Sequence, residues 1–224
     1  MKTHSATFRI KVLAASVPPA PPFTGTSLTI RTTDTARQFG IYSAKLADGH
    51  AGVTLDWGDG TVETIGGDIL QRTHDYAAAG TYVIRISDDI ADVRYTGHYD
   101  PEYLFGKYRE LPVAFHSNAA ALTTVGPMAL GGCLNLTSVD IRDAAVTGLA
   151  EGPFAHCTAL AGELHFPHVC QFIRSTRTQP FEGCTGGLTR LHFAAANEAA
   201  IKATTNYQSD PTLGTATATC VFDL

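Results

Sequence analysis

The chain of 224 residues contains no apolar run approaching the roughly 18 residues that span a bilayer, so no membrane span is expected. Basic segments are scarce too. Residues 1–23 carry +3, but 24–97 carry −4, 98–196 carry −2 and 197–224 carry −2, for a net charge of −5. A nucleic-acid partner needs a Lys/Arg stripe to neutralise phosphates, and that class is set aside. Five cysteines are too few for a disulfide scaffold, and their number is odd. A full signal peptide is missing as well. Lys2, Arg9 and Lys11 accompany an apolar stretch, Val12 to Ser16, about half as long as a normal h-region. Residues 1–23 therefore read as a strand, from the alternation of Phe8, Ile10 and Val12, followed by a stiff polyproline linker, Val17 to Pro22. Export would rest on another route or on a trimmed leader.

What is present is β periodicity and repetition. The apolar fraction of 44% and charged fraction of 17% describe an ordered globular chain, long enough for two cores. From residue 24 to 97 alternate positions are apolar: Leu28 and Ile30; Val53, Leu55 and Trp57; Tyr82, Ile84 and Ile86. That spacing places one face of each strand in a core. Gly58-Asp59-Gly60 predicts a tight hairpin turn, with Asp-Gly supplying its positive φ values.

Asp56-Trp57-Gly58-Asp59-Gly60-Thr61, then His74-Asp75-Tyr76, then Gly80-Thr81-Tyr82-Val83, resembles the signature of the PKD (polycystic kidney disease) domain family. The resemblance implies an immunoglobulin-like β-sandwich with Trp57 and Tyr82 in its core. It also implies a spacer or binding module of extracellular proteins. The acidic set Asp56, Asp59, Glu63 and Asp75 invites a calcium reading. Calcium needs six to eight oxygens, however, and the dense spacing of a dedicated loop is missing. Asp56 and Asp59 are expected to accept backbone N–H bonds in the turn instead. His74 has no nearby nucleophile and is expected to be packed and hydrogen-bonded. The first half also lacks G-x-S-x-G, H-E-x-x-H and P-loop patterns.

The second half repeats at spacings of 24 and 27. Leu130-Gly131-Gly132-Cys133, Phe154-Ala155-His156-Cys157 and Phe181-Glu182-Gly183-Cys184 are each followed by a leucine and a short strand. Leu149 and Ile173 take matching places, and an eroded copy precedes them, with Phe115 and with Asn118 at the cysteine position. The pattern resembles BspA-like leucine-rich repeats over about 109–196, which implies a stacked solenoid. His156 stands where the other copies have Gly132 and Gly183. Equivalent positions lie above one another in such a stack, so Cys133, Cys157 and Cys184 are expected to form a buried column without metal or disulfide chemistry. Cys170 and Cys220 fall outside this register.

Each repeat strand reads apolar, x, apolar: Val139-Asp140-Ile141, Leu164-His165-Phe166, Leu191-His192-Phe193. Alternation turns the middle residue outward, so Asp140, His165 and His192 are expected to form one exposed column, the candidate binding face. With His168 nearby the column offers transition-metal ligands, but a hydrogen-bonded surface ladder accounts equally for these residues and is preferred. No cofactor and no metal are expected. Asp56, Asp59, His165, His168 and His192 are the weaker metal candidates.

The expected fold is mainly β: an N-terminal strand and linker (1–23), an immunoglobulin-like sandwich (24–97), a connector and N-terminal cap (98–112), a leucine-rich-repeat solenoid (113–196) and a small C-terminal cap (197–224). Tyr99, Tyr103, Phe105 and Tyr108 of the connector are expected to pack, the alternative being a carbohydrate platform. No nucleophile, base and orienting group assemble from these motifs, which argues against an enzyme. The resemblances imply a noncatalytic surface or adhesion module taking a protein or glycan ligand. A structural component of a phage-like particle or tail is the alternative, favoured by the missing signal. Localisation is open between the cell surface, a virion and the cell interior, and oligomeric state is not legible.

Overall fold

Alternating apolar residues require partner strands, and in the computed structural model, which describes residues 23–94, 108–173 and 178–224, those partners come from both halves of the chain. The fold is mainly β. The expected N-terminal strand and linker, and most of the connector with Tyr99, Tyr103 and Phe105, lie outside the described residues. The first half forms β1 (Gly25–Arg31), β2 (Gln38–Leu46), β3 (Val53–Asp56), β4 (Val62–Ile65), β5 (Ile69–Asp75), β6 (Thr81–Ser87) and β7 (Ile90–Arg94), paired antiparallel wherever they pair with one another. The second half adds longer strands, β8 (Pro112–Ser117), β10 (Ser138–Asp140), β12 (Gly162–Phe166), β14 (Leu188–Phe193) and β15 (Thr219–Phe222). These interleave with the two-residue strands β9 (Thr124–Val125), β11 (Gly148–Leu149) and β13 (Gln171–Phe172). Two short helices, α1 (Glu198–Lys202) and α2 (Thr205–Ser209), lie between β14 and β15.

Two sheets cross from one half into the other. One runs β10-β8-β1-β6-β3-β4, the second β13-β11-β9-β7-β2-β5, and a third holds β12-β14-β15. The crossing in the first sheet is β8 against β1, antiparallel, with Thr26 facing Ser117 and Leu28 facing Phe115. In the second it is β7 against β9, parallel, with Val93 facing Val125. A single apolar cluster likewise extends from Ile30 and Trp57 through Phe115 and Leu122 to Phe181 and Ile201. The edge of the repeat ladders is thus continued by β1 and β7.

Within the second half each rung is fixed by columns of like residues. Cys133, Cys157 and Cys184 are free and buried. Cys157 Sγ donates to the Leu130 carbonyl at 3.0 Å and Cys184 Sγ to the Phe154 carbonyl at 3.1 Å. Burial pushes all three thiols up, Cys184 to about 11. Phe166, Phe193 and Phe222 stack from strand to strand, with centroids 5.6 and 5.9 Å apart.

The columns revise two readings of the repeat and place the two remaining cysteines. The Leu111 N–H bonds the Tyr108 carbonyl just as Leu136 bonds Cys133 and Leu160 bonds Cys157, so buried Tyr108 occupies the cysteine position of the first rung. Asn118 does not; it bonds Gly25 and Phe23 beyond β8. Phe172, not Ile173, faces Leu149, because alternation turns Ile173 toward solvent. Cys170 stands outside the cysteine column, as expected, and occupies the threonine position of the rungs. Its N–H bonds the Thr147 carbonyl as Thr147 bonds Thr123 and Thr123 bonds Ala91. Cys220 faces Leu191 on β15 and is pushed up by burial to about 12.

Candidate functional site

The outward positions of β12 and β14 assemble the densest group of donors. Alternation on β12 places Glu163 and His165 on one face, and the pairing of β12 with β14 sets His165 opposite His192 and Glu163 opposite Arg190. The two imidazoles stack, with centroids 4.4 Å apart and planes 12° from parallel. Donor atoms of Glu163, His165 and His192 all lie within 4.8 Å of one another, and no other such group of three exists among the described residues.

His192 departs from the expected exposed column, since its side chain is only 9% exposed. Its strand is the central one, so the ring lies between His165, on which it stacks, and β15, where Val221 is its partner, and Asp223, just beyond β15, has its Oδ1 2.8 Å from His192 Nδ1. This bond places the proton on Nδ1. His192 Nε2 then has Glu163 Oε2 at 3.4 Å, out of hydrogen-bond alignment, and is a buried nitrogen without a hydrogen-bond partner. The other Glu163 oxygen, Oε1, accepts from Arg190 at 3.0 Å.

Asp140 does not join this group. On β10 it pairs with His116 of β8, and its carboxylate is gripped by Arg142 through two bonds of 2.9 Å. Those bonds hold its carboxyl down to about 2 against a smaller opposing effect of burial. β10 and β12 belong to different sheets, so the expected single column is two pairs: His116 with Asp140, and His165 with His192. His168 is exposed and lies outside the donor group. The sequence reasoning missed His116, Glu163 and Asp223. Glu163 was within reach, two residues before His165 and therefore on its face.

The acidic residues of the first half are each committed elsewhere. Asp56 Oδ1 accepts from the Gly58 N–H and Asp59 Oδ1 from the Thr61 N–H. Glu63 accepts from the Trp57 indole at 2.7 Å, and Asp75 accepts from Gln38. His74 Nε2 meets Asp59 Oδ2 at 2.7 Å while its ring stacks on Trp57, centroids 5.0 Å apart. Burial pushes Asp59 up, but the bonds from His74 and Thr61 outweigh it and hold the carboxyl below its usual range. The positive φ values of this turn belong to Gly58 (82°) and Gly60 (96°), not to Asp59, which corrects the Asp-Gly expectation.

Among the described residues three histidines meet carboxylates: His50 with Asp89, His74 with Asp59, and His192 with Asp223 and Glu163. Ser87 bonds Asp89 rather than His50, so that trio has no hydroxyl donating to imidazole. No described helix is long and apolar enough to cross a membrane. In comparisons with family models, curated proteins and solved structures, the chain matches none.

Proposed function

We propose that the chain is a noncatalytic surface or adhesion-type binding module, acting at the cell surface or outside the cell. Its first half is read as a PKD-like sandwich, and its second as a BspA-like repeat coil whose outward strand positions meet a protein or glycan. The observation that carries this reading is the side-by-side placing of polar residues on consecutive rungs: His116 beside Asp140, and His165 with Glu163 beside His192 with Arg190. Such a face suits hydrogen bonding to hydroxyls, amides or carboxylates. The sheet that crosses between the halves at β8 and β1 adds that the first half braces the His116 and Asp140 pair rather than only spacing it.

A glycan and protein array probed with the full chain tests the proposal. His116→Ala and His165→Ala should each reduce the captured signal about tenfold, the weight of one or two lost polar contacts. Arg72→Ala, on exposed β5 of the first half, should leave it unchanged. Binding that depends on Arg72 and ignores both histidines would overturn the reading.

A further inference from the structure

We infer that Glu163, His165 and His192 form a binding site for a divalent transition-metal ion of the zinc class. Two independent observations point there. The first is the converging donor set itself, two imidazoles and a carboxylate with ligand atoms within 4.8 Å of one another. Two nitrogens and one oxygen suit a zinc-type ion with a further open position. The second is the state of His192. Asp223 accepts from its Nδ1, and its Nε2 is buried without a hydrogen-bond partner. A carboxylate behind a histidine whose far nitrogen is vacant is the arrangement that orients an imidazole toward a metal. An unpartnered buried nitrogen is otherwise costly.

The movements required are small. Ligand atoms around a tetrahedral zinc ion at about 2.0–2.1 Å lie about 3.4 Å apart. Glu163 Oε2 is already 3.4 Å from His192 Nε2. The stacked rings must turn out of parallel so that both lone pairs meet one ion. His165 is half-buried and Glu163 exposed, so both can rotate while His192 stays fixed by Asp223. Arg190 need not be displaced, since it holds Oε1 and leaves Oε2 to the ion. Its positive charge weakens the site and does not abolish it.

This inference is independent of the ligand the outer face takes. Its test is a titration of the untagged full chain with Zn²⁺ alone, read by calorimetry, with Co²⁺ absorption as a report on the ligand set. One ion should bind per chain, and the Co²⁺ bands should be those of a nitrogen and oxygen site without thiolate charge transfer. Glu163→Gln and His165→Ala, both at positions outside the core, should each weaken binding by more than tenfold. Asp223→Asn should weaken it by about 10–100-fold, as loss of the group behind a ligating imidazole does, while His168→Ala should leave it unchanged. The absence of any binding at millimolar Zn²⁺, a thiolate band, or affinity unaltered in both Glu163→Gln and His165→Ala would each overturn the site.

Discussion

The thiols of the second half show how single residues carry the repeat. Cys157 and Cys184 each reach the carbonyl of the preceding rung, a place where a larger side chain would not fit and a hydroxyl would need fuller hydrogen bonding. Burial raises these thiols in the folded state, with Cys184 at about 11, against about 8.5 in an unfolded chain. The protonated form is the one the fold favours. The contribution of Cys184 to stability is therefore complete below about pH 8.5 and is lost as the pH rises toward about 11. Denaturation midpoints measured across that range should fall, and should fall less when Cys184 is replaced by Ala. The recurrence of the cysteines in the sequence foretold the column. The bond between His192 and Asp223 was not legible, because it joins residues 31 apart, which no local pattern announces.

At the scale of elements, the hairpin between β3 and β4 needs two positive-φ glycines, and Gly58 is the more tightly enclosed. Gly58 has a φ of 82°, and a Cβ there would lie 2.6 Å from the Val83 carbonyl oxygen. Gly58→Ala should therefore lower unfolding free energy by about 1–3 kcal/mol, the usual cost of holding an ordinary residue in such a conformation, plus whatever backbone shift the clash forces. In the second half the stacked Phe154 and Phe181, centroids 5.4 Å apart and both fully buried, lock two rungs together. Phe181→Ala should cost about 3–5 kcal/mol. Both values follow from urea denaturation of the variants. The strands around Ile30, Leu55, Ile84, Val139, Leu164 and Leu191 were legible because alternation marks them. The two-residue strands β9, β11 and β13 were not, since a single period shows no repetition. That shortness hides Phe172 behind its neighbour Ile173.

Across the whole molecule, the repeat in the sequence and the turn motif of the first half suggested two units joined by a connector. The described residues instead share two sheets and one apolar cluster. Pairings such as Thr26 with Ser117 and Val93 with Val125 leave no trace in composition or spacing, since each strand obeys its own alternation whichever neighbour it finds. Mechanically, β8 with His116 is braced by β1 of the first half, whereas His165 and Glu163 stand on a sheet of second-half strands alone.

The most direct test of this continuity uses two reporters that the chain already contains. Trp57, the single tryptophan, is buried in the first half, and Cys133, Cys157 and Cys184 are buried in the second. Tryptophan fluorescence and thiol alkylation followed through one urea titration should give coincident transitions, because neither half keeps its sheet edges covered without the other. Two separated midpoints, with the thiols protected after the tryptophan is exposed or the reverse, would contradict it.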